Sequence, residues 1–95
     1  MKLQPSEVEL VGNWVVVSGR LQRDATCERI EQLTAHYLRR VTDSKQGGGW
    51  ETLFQDPDDG RFWERTYPQG EMHGGGPPRL SVLRPEEARG KYQIS

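Results

Sequence analysis

The amino-acid sequence predicts an α+β fold: a small, mainly antiparallel sheet of about four strands, one long helix packed on one face, and a short C-terminal helix. Three observations lead there. A single apolar stripe recurs at three- and four-residue spacing through "CERIEQLTAHYLRRV" (Cys27 to Val41). Two aromatic segments flank the turn chemistry "DPDDG". Short β-branched or alternating runs, "NWVVV" and "RLSVL", stand on either side of both. Helix and strand periods in one short chain, with the strands mostly consecutive, favour a helix lying on a meander.

The elements follow in order. In "PSEVELVG", Ser6 and Glu9 have capping-box spacing, which suggests a short helical turn before Gly12. Asn13 to Val17 is β-branched, ends at Ser18-Gly19 and reads as a strand. Asp24 or Thr26 caps the helix that follows. Cys27, Ile30, Leu33, Thr34, Tyr37, Leu38 and Val41 form its stripe over about four turns, with Glu28 and Glu31 early and Arg39 and Arg40 late, as the helix dipole favours. "KQGGG" stops it. "WETLFQ" and "RFWERTY" then form a hairpin. A turn centred near Asp58 sets Glu51 opposite Arg65 and Leu53 opposite Trp63, with Phe54 and Phe62 on the other face, although a one-residue slip is also compatible. Arg79 to Leu83 alternates and reads as a strand. Pro85 at a helix N1 position, followed by Glu86 and Glu87, opens the last helix.

Composition narrows the function. A chain of 95 residues is read as one domain, 1–95, with one modest core. Net charge is -1, so no overall field draws it to nucleic acid or an anionic membrane. The single cysteine, Cys27, cannot form an internal disulfide or a structural zinc site and reads as a small buried hydrophobe. The start "MKLQPSEVELVG" lacks a signal peptide's apolar run, and no segment approaches the length of a membrane span, so a cytoplasmic monomer is expected. Charge is locally uneven. Residues 50–72 hold six carboxylates against Arg61 and Arg65, whereas residues 20–42 are mildly basic.

"TYPQGEMHGGGPPRL" invites three chemical readings, and context removes two of them. A phosphate cradle feeds a helix and usually carries a lysine; this loop feeds a strand, has two prolines and has no lysine. An "HGGG" oxyanion loop needs a nucleophile elbow, and no Gly-x-Ser-x-Gly occurs. For metal, His73 has neighbours in Glu71 and the "DPDDG" acids, but that segment lacks the spaced continuation of a calcium loop, and no metal or cofactor is expected. A carboxyl pair, Glu51 with Glu64, supports an alternative reading as a small enzyme or ligand-binding domain that also uses His73. Against it, Glu51 pairs with Arg65 and Glu64 with Arg61 or solvent, and a small single-sheet domain offers little cleft. Trp50, Trp63 and Tyr67 among carboxylates read either as sheet core or as a protein-binding patch, with Trp14 the surer core residue.

"LVGNWVVV", "CERIEQLTAHYL", "GGGWETLFQDPDDGRFWERTYPQGEMHGGGPPRL" and "PEEARGKY" together resemble the immunity protein 27 family of bacterial polymorphic toxin systems. The resemblance covers nearly the whole chain and is most specific from Gly47 to Leu80. It implies a small cytosolic antidote, not an enzyme, that binds and blocks a toxin domain encoded beside it and delivered by a neighbouring cell through contact-dependent or related secretion. It carries over no catalytic or interface residues. The residues suggest the surface, and the resemblance implies its target, many such toxins being nucleases or RNases with basic grooves: Asp56, Asp58, Asp59, Glu64 and Glu71 mimic phosphates towards that groove, Trp63 and Tyr67 anchor, and His73 borders the patch. The polar side of the long helix, through Arg29, Gln32, His36 and Arg39, is the second candidate surface.

Overall fold

A computed structural model describes residues 2–44, 51–69 and 76–94. Strands β1 (Glu9–Val11), β2 (Trp14–Val17) and β3 (Arg20–Arg23) precede helix α1 (Ala25–Gln32), which continues as a wider π-helical segment, Leu33–Tyr37. Strands β4 (Arg39–Asp43), β5 (Thr52–Gln55), β6 (Phe62–Thr66) and β7 (Arg79–Leu83) follow, then helix α2 (Pro85–Tyr92). The fold is α+β and antiparallel as expected, but with seven strands rather than about four. Five form one sheet in the order β1-β7-β6-β5-β4, and β2 and β3 form a separate hairpin.

The long helix of the sequence reading is shorter than expected. Asp24 caps it, its carboxylate accepting from Cys27 N at 2.8 Å, and Cys27, Ile30 and Leu33 are buried beneath it. The Thr34 hydroxyl donates to the carbonyls of Ile30 (2.9 Å) and Glu31 (3.2 Å). Leu38 N reaches back five residues to Leu33 O at 2.7 Å, and Leu38 itself is extended. The chain then becomes β4, paired with β5. Leu38 and Val41 fit a helical stripe, yet Leu38 packs into the α1-side core and Val41 into the α2-side core. Residues three apart share a face of a helix but not of a strand. Tertiary pairing overrode the local period.

Two cores lie on opposite faces of the sheet. Under α1, Ile30 and Leu33 meet Leu3, Leu38, Phe54, Trp63 and Leu80. Under α2, Ala88 and Tyr92 meet Leu53, with Phe62, Leu83 and Val41 at the margin. Helix α2 starts as expected, with Pro85 at its first position and the Glu87 carboxylate accepting from Arg84 N at 3.2 Å. At the N-terminus the expected helical turn is instead a tight turn closed by Glu7 N to Gln4 O (3.0 Å), after which β1 pairs with β7.

The β5–β6 hairpin is shifted by one residue from the centred register. Thr52 lies opposite Arg65, Leu53 opposite Glu64, Phe54 opposite Trp63 and Gln55 opposite Phe62. That slip exchanges faces, so Phe54 and Trp63 share the α1 core, and Leu53 and Glu64 turn to α2. The cause is a wider turn than assumed: Asp56 N donates to Arg61 O (2.9 Å), and Gly60, at φ +77°, donates to Asp56 O (2.9 Å).

Candidate functional site

The structure divides the expected partner-binding residues. Trp63 is 0% exposed and belongs to the core, its ring covered by the Arg61 guanidinium at 5.1 Å. Asp56 is 1% exposed; its Oδ1 accepts from the Tyr37 hydroxyl at 2.5 Å and from Asp58 N at 2.8 Å. Burial, and then the Asp56 carboxylate, push the Tyr37 phenol well above its ordinary range. Glu64 is 6% exposed. These three side chains were read as surface groups and are interior, because the wider turn and the shifted register rotate them inward. Tyr67 is half-buried beside Arg65. Glu71, His73 and Trp50 lie outside the described residues.

Asp58 and Asp59 stay at the surface of the β5–β6 turn. Each already faces a cation: Lys2 Nζ lies 3.0 Å from Asp58 Oδ2, and Arg61 Nε lies 2.7 Å from Asp59 Oδ2. Arg61 also donates to Glu7 O at 2.6 Å, which ties the N-terminal segment to this turn. Glu7 in turn accepts from Arg29 (2.5 and 2.7 Å), which holds its carboxyl down at about 2. Arg29, proposed for the helix's polar face, is therefore occupied. Arg39 left the helix for β4, where it bonds Gln55.

Glu51 and Glu64 do converge, but on a lysine. Lys91 Nζ lies 2.8 Å from Glu51 Oε2 and 2.6 Å from Glu64 Oε2, and the Tyr92 hydroxyl donates to Glu64 Oε2 at 2.8 Å. Burial works against the Lys91 charge, yet the two carboxylates prevail and raise its pKa. Burial and Glu64 raise that of Tyr92. The expected Glu51–Arg65 pair is absent because of the register shift. Among the described residues, no three His, Cys, Asp or Glu side chains gather as metal ligands would. Cys27 is fully buried, and burial pushes its thiol up.

The sequence reading missed a solvent-facing hairpin that holds four of the exposed large hydrophobic residues among the described ones. Strands β2 and β3 form a hairpin whose two-residue turn, Ser18 (φ 51°) and Gly19 (φ 76°), has both residues in the left-handed region, as tight hairpins prefer. Val16 and Leu21 face each other across it at 72% and 62% exposure, with Val15 and Val17 also exposed. Beside its base, a groove of about 400 Å³ runs between the hairpin, α1 and β6, lined by residues that include Trp14, Arg23, Glu31, Thr34, Arg65 and Tyr67. Trp14, read as core, is a groove wall. "VVVSGRL" held the signal: a β-branched run meeting a Ser-Gly turn announces a second strand.

The described residues form a small α+β protein with many of its carboxylates held in ion pairs and an apolar hairpin turned to solvent, surfaces of the kind an interaction protein presents. Residues 17–84 match the family model described as Immunity protein 27, and the chain belongs to that family. Membership makes it an immunity protein with a cognate toxin as its partner, in the role of an inhibitor. No curated protein and no solved structure matches the chain. No helix among the described residues is long and apolar enough to cross a membrane.

Proposed function

We propose that this immunity protein neutralises its toxin by direct binding that occludes the toxin's active site. The family match across residues 17–84 is the observation that supports this reading. A nuclease or RNase target is its specific form. Of the acidic groups invoked for that form, Asp58 and Asp59 are the exposed ones among the described residues, and both are partly neutralised by Lys2 and Arg61. The weight of the contact therefore falls on other surfaces.

The test is co-purification with the product of the adjacent toxin-like reading frame, followed by assay of that product on DNA and RNA. A stoichiometric complex without nuclease activity, and an active product when the immunity protein is omitted, are the expected results. If no complex forms and the product stays active in its presence, the antidote reading fails. A complex that silences some other activity removes only the nuclease form.

A further inference from the structure

We propose that the groove between the β2–β3 hairpin, α1 and β6 is the toxin-docking surface. It receives a toxin segment that carries an aspartate or glutamate side chain among apolar neighbours. The inference rests on the antidote reading but not on its nuclease form.

Two unsatisfied donors point to a carboxylate. Arg65 Nε and Trp14 Nε1 are both buried without a hydrogen-bond acceptor among the described residues, and both residues line this groove. Buried polar groups in folded proteins are nearly always paired, so two orphan N–H groups just beneath one groove favour an acceptor that enters it, whereas the orphan Trp63 indole N–H belongs to a fully buried core residue. The Arg65 guanidinium is also held in place. It stacks on the rings of Phe54 (5.5 Å) and Tyr67 (5.8 Å), and its Nη2 donates to Thr52 Oγ1 at 3.3 Å. No carboxylate pairs with it among the described residues; Asp43, which feels its charge, is bonded to Thr52 and Arg40. A stacked, preordered arginine loses little freedom when it takes a carboxylate, and arginine and aromatics are the residue types that anchor interfaces.

The hairpin supplies the apolar half of the surface. Trp14 and Arg23 pair at its base, and Val16 and Leu21 pair two positions further out, so all four share one face. That face runs directly into the groove, since Trp14 and Arg23 also form its wall. Arg23 is matched by Glu31, whereas Arg65 has no carboxylate partner among the described residues. The surface is apolar with a cationic bias, which complements an acidic-apolar segment and disfavours a basic one. It also lies at the opposite end of the sheet from Asp58 and Asp59. Val11, Thr66 and Arg79 mark the hairpin end of the ladder, and Phe62 with Leu83 the turn end.

Two measurements test this. In the first, the peptide acetyl-Leu-Asp-Leu-amide is titrated into the full chain while the Trp14 indole and Arg65 Nε–H resonances are followed. Both should shift, and the Leu-Asn-Leu peptide should move neither. In the second, affinity for the toxin domain of the adjacent reading frame is compared for wild type, L21D and R65Q. Leu21 is exposed, so L21D should keep the wild-type melting temperature while losing roughly thirtyfold or more in affinity, the loss typical of a central interface residue. Equal toxin affinity in wild type, L21D and R65Q overturns the docking surface and leaves the antidote reading intact. A wild type that does not bind the toxin overturns both. A wild-type dimer that L21D dissolves, with toxin affinity unchanged, assigns the surface to a second copy and overturns the proposal.

Discussion

Tyr92→Phe tests whether Glu64 is scaffold or site. The substitution keeps the ring that packs against Leu53 and Ala88, so it opens no cavity, and it removes the hydroxyl that donates to Glu64 Oε2 at 2.8 Å. Glu64 is 6% exposed, so water replaces that donor poorly. A hydrogen bond to a charged group contributes about 1.5–3 kcal/mol. A domain of this size loses about 4–8 °C of melting temperature per kcal/mol, so Tyr92→Phe should melt roughly 6–24 °C below wild type. Lys91→Met goes further, since it leaves Glu51 and Glu64 close together without their shared cation. Lys91 is itself 38% exposed, so the cost should fall below the ~3–5 kcal/mol of a fully buried pair. Urea and thermal unfolding read both, with toxin affinity measured on the same samples. Destabilisation with unchanged affinity is the expected pattern. A Tyr92→Phe protein within about 0.5 kcal/mol of wild type that has lost toxin binding would refute the reasoning and return Glu64 to the interface.

Three further outcomes follow from the same geometry. Gly12→Ala places a Cβ 2.5 Å from Cys27 Sγ and 2.9 Å from the Pro78 carbonyl oxygen, and the backbone atom cannot yield cheaply; about 1–3 kcal/mol should be lost in chemical denaturation. Glu7 is more acidic folded (about 2) than its ordinary 4.5, so its stabilisation is complete above about pH 4.5 and drains away as pH falls towards 2. The stability difference between wild type and Glu7→Gln should therefore be flat near neutrality and shrink below about pH 4.5, by on the order of 1–2 kcal/mol once screening of this partly exposed pair is allowed for. Replacing Asp58 and Asp59 together by Ala should slow association with the toxin by less than about threefold, because Lys2 and Arg61 already offset their charge; tenfold slowing in stopped-flow would restore the acidic turn as the interface.

Legibility in the sequence followed how local each determinant is. The cap of α1, narrowed to Asp24 or Thr26, the Pro85 start of α2, the strand Trp14–Val17 and the α+β class are set by residues within a few positions of one another, and they were readable. The end of α1 was not, because Leu38 and Val41 satisfy a helical period as well as a bulged strand, and the choice between them lies in pairing with β5. Strand β3 was missed for another reason. "RLQR" has no buried face at all, so it carries no alternation to detect.

The candidate site turned on a single residue of register. With Leu53 opposite Trp63, the Trp63 indole and the turn acids read as surface, and an acidic, aromatic patch follows. With Leu53 opposite Glu64, the same segments contribute to two cores and a partly buried ion-pair network. Composition is identical in the two cases, so no count of charges near Asp58 could decide between them. Turn hydrogen bonds from Asp56 and Gly60 do decide it, and in doing so they withdraw Asp56, Trp63 and Glu64 from the surface. Apolar exposure then shifts to the other end of the sheet, where Val16 and Leu21 stand opposite each other above Trp14 and Arg65. An isolated two-stranded ribbon is marginal in water, and keeping one with this much apolar surface works against solubility. Under the docking proposal, a toxin that covers it is the physical reason such a hairpin is tolerated.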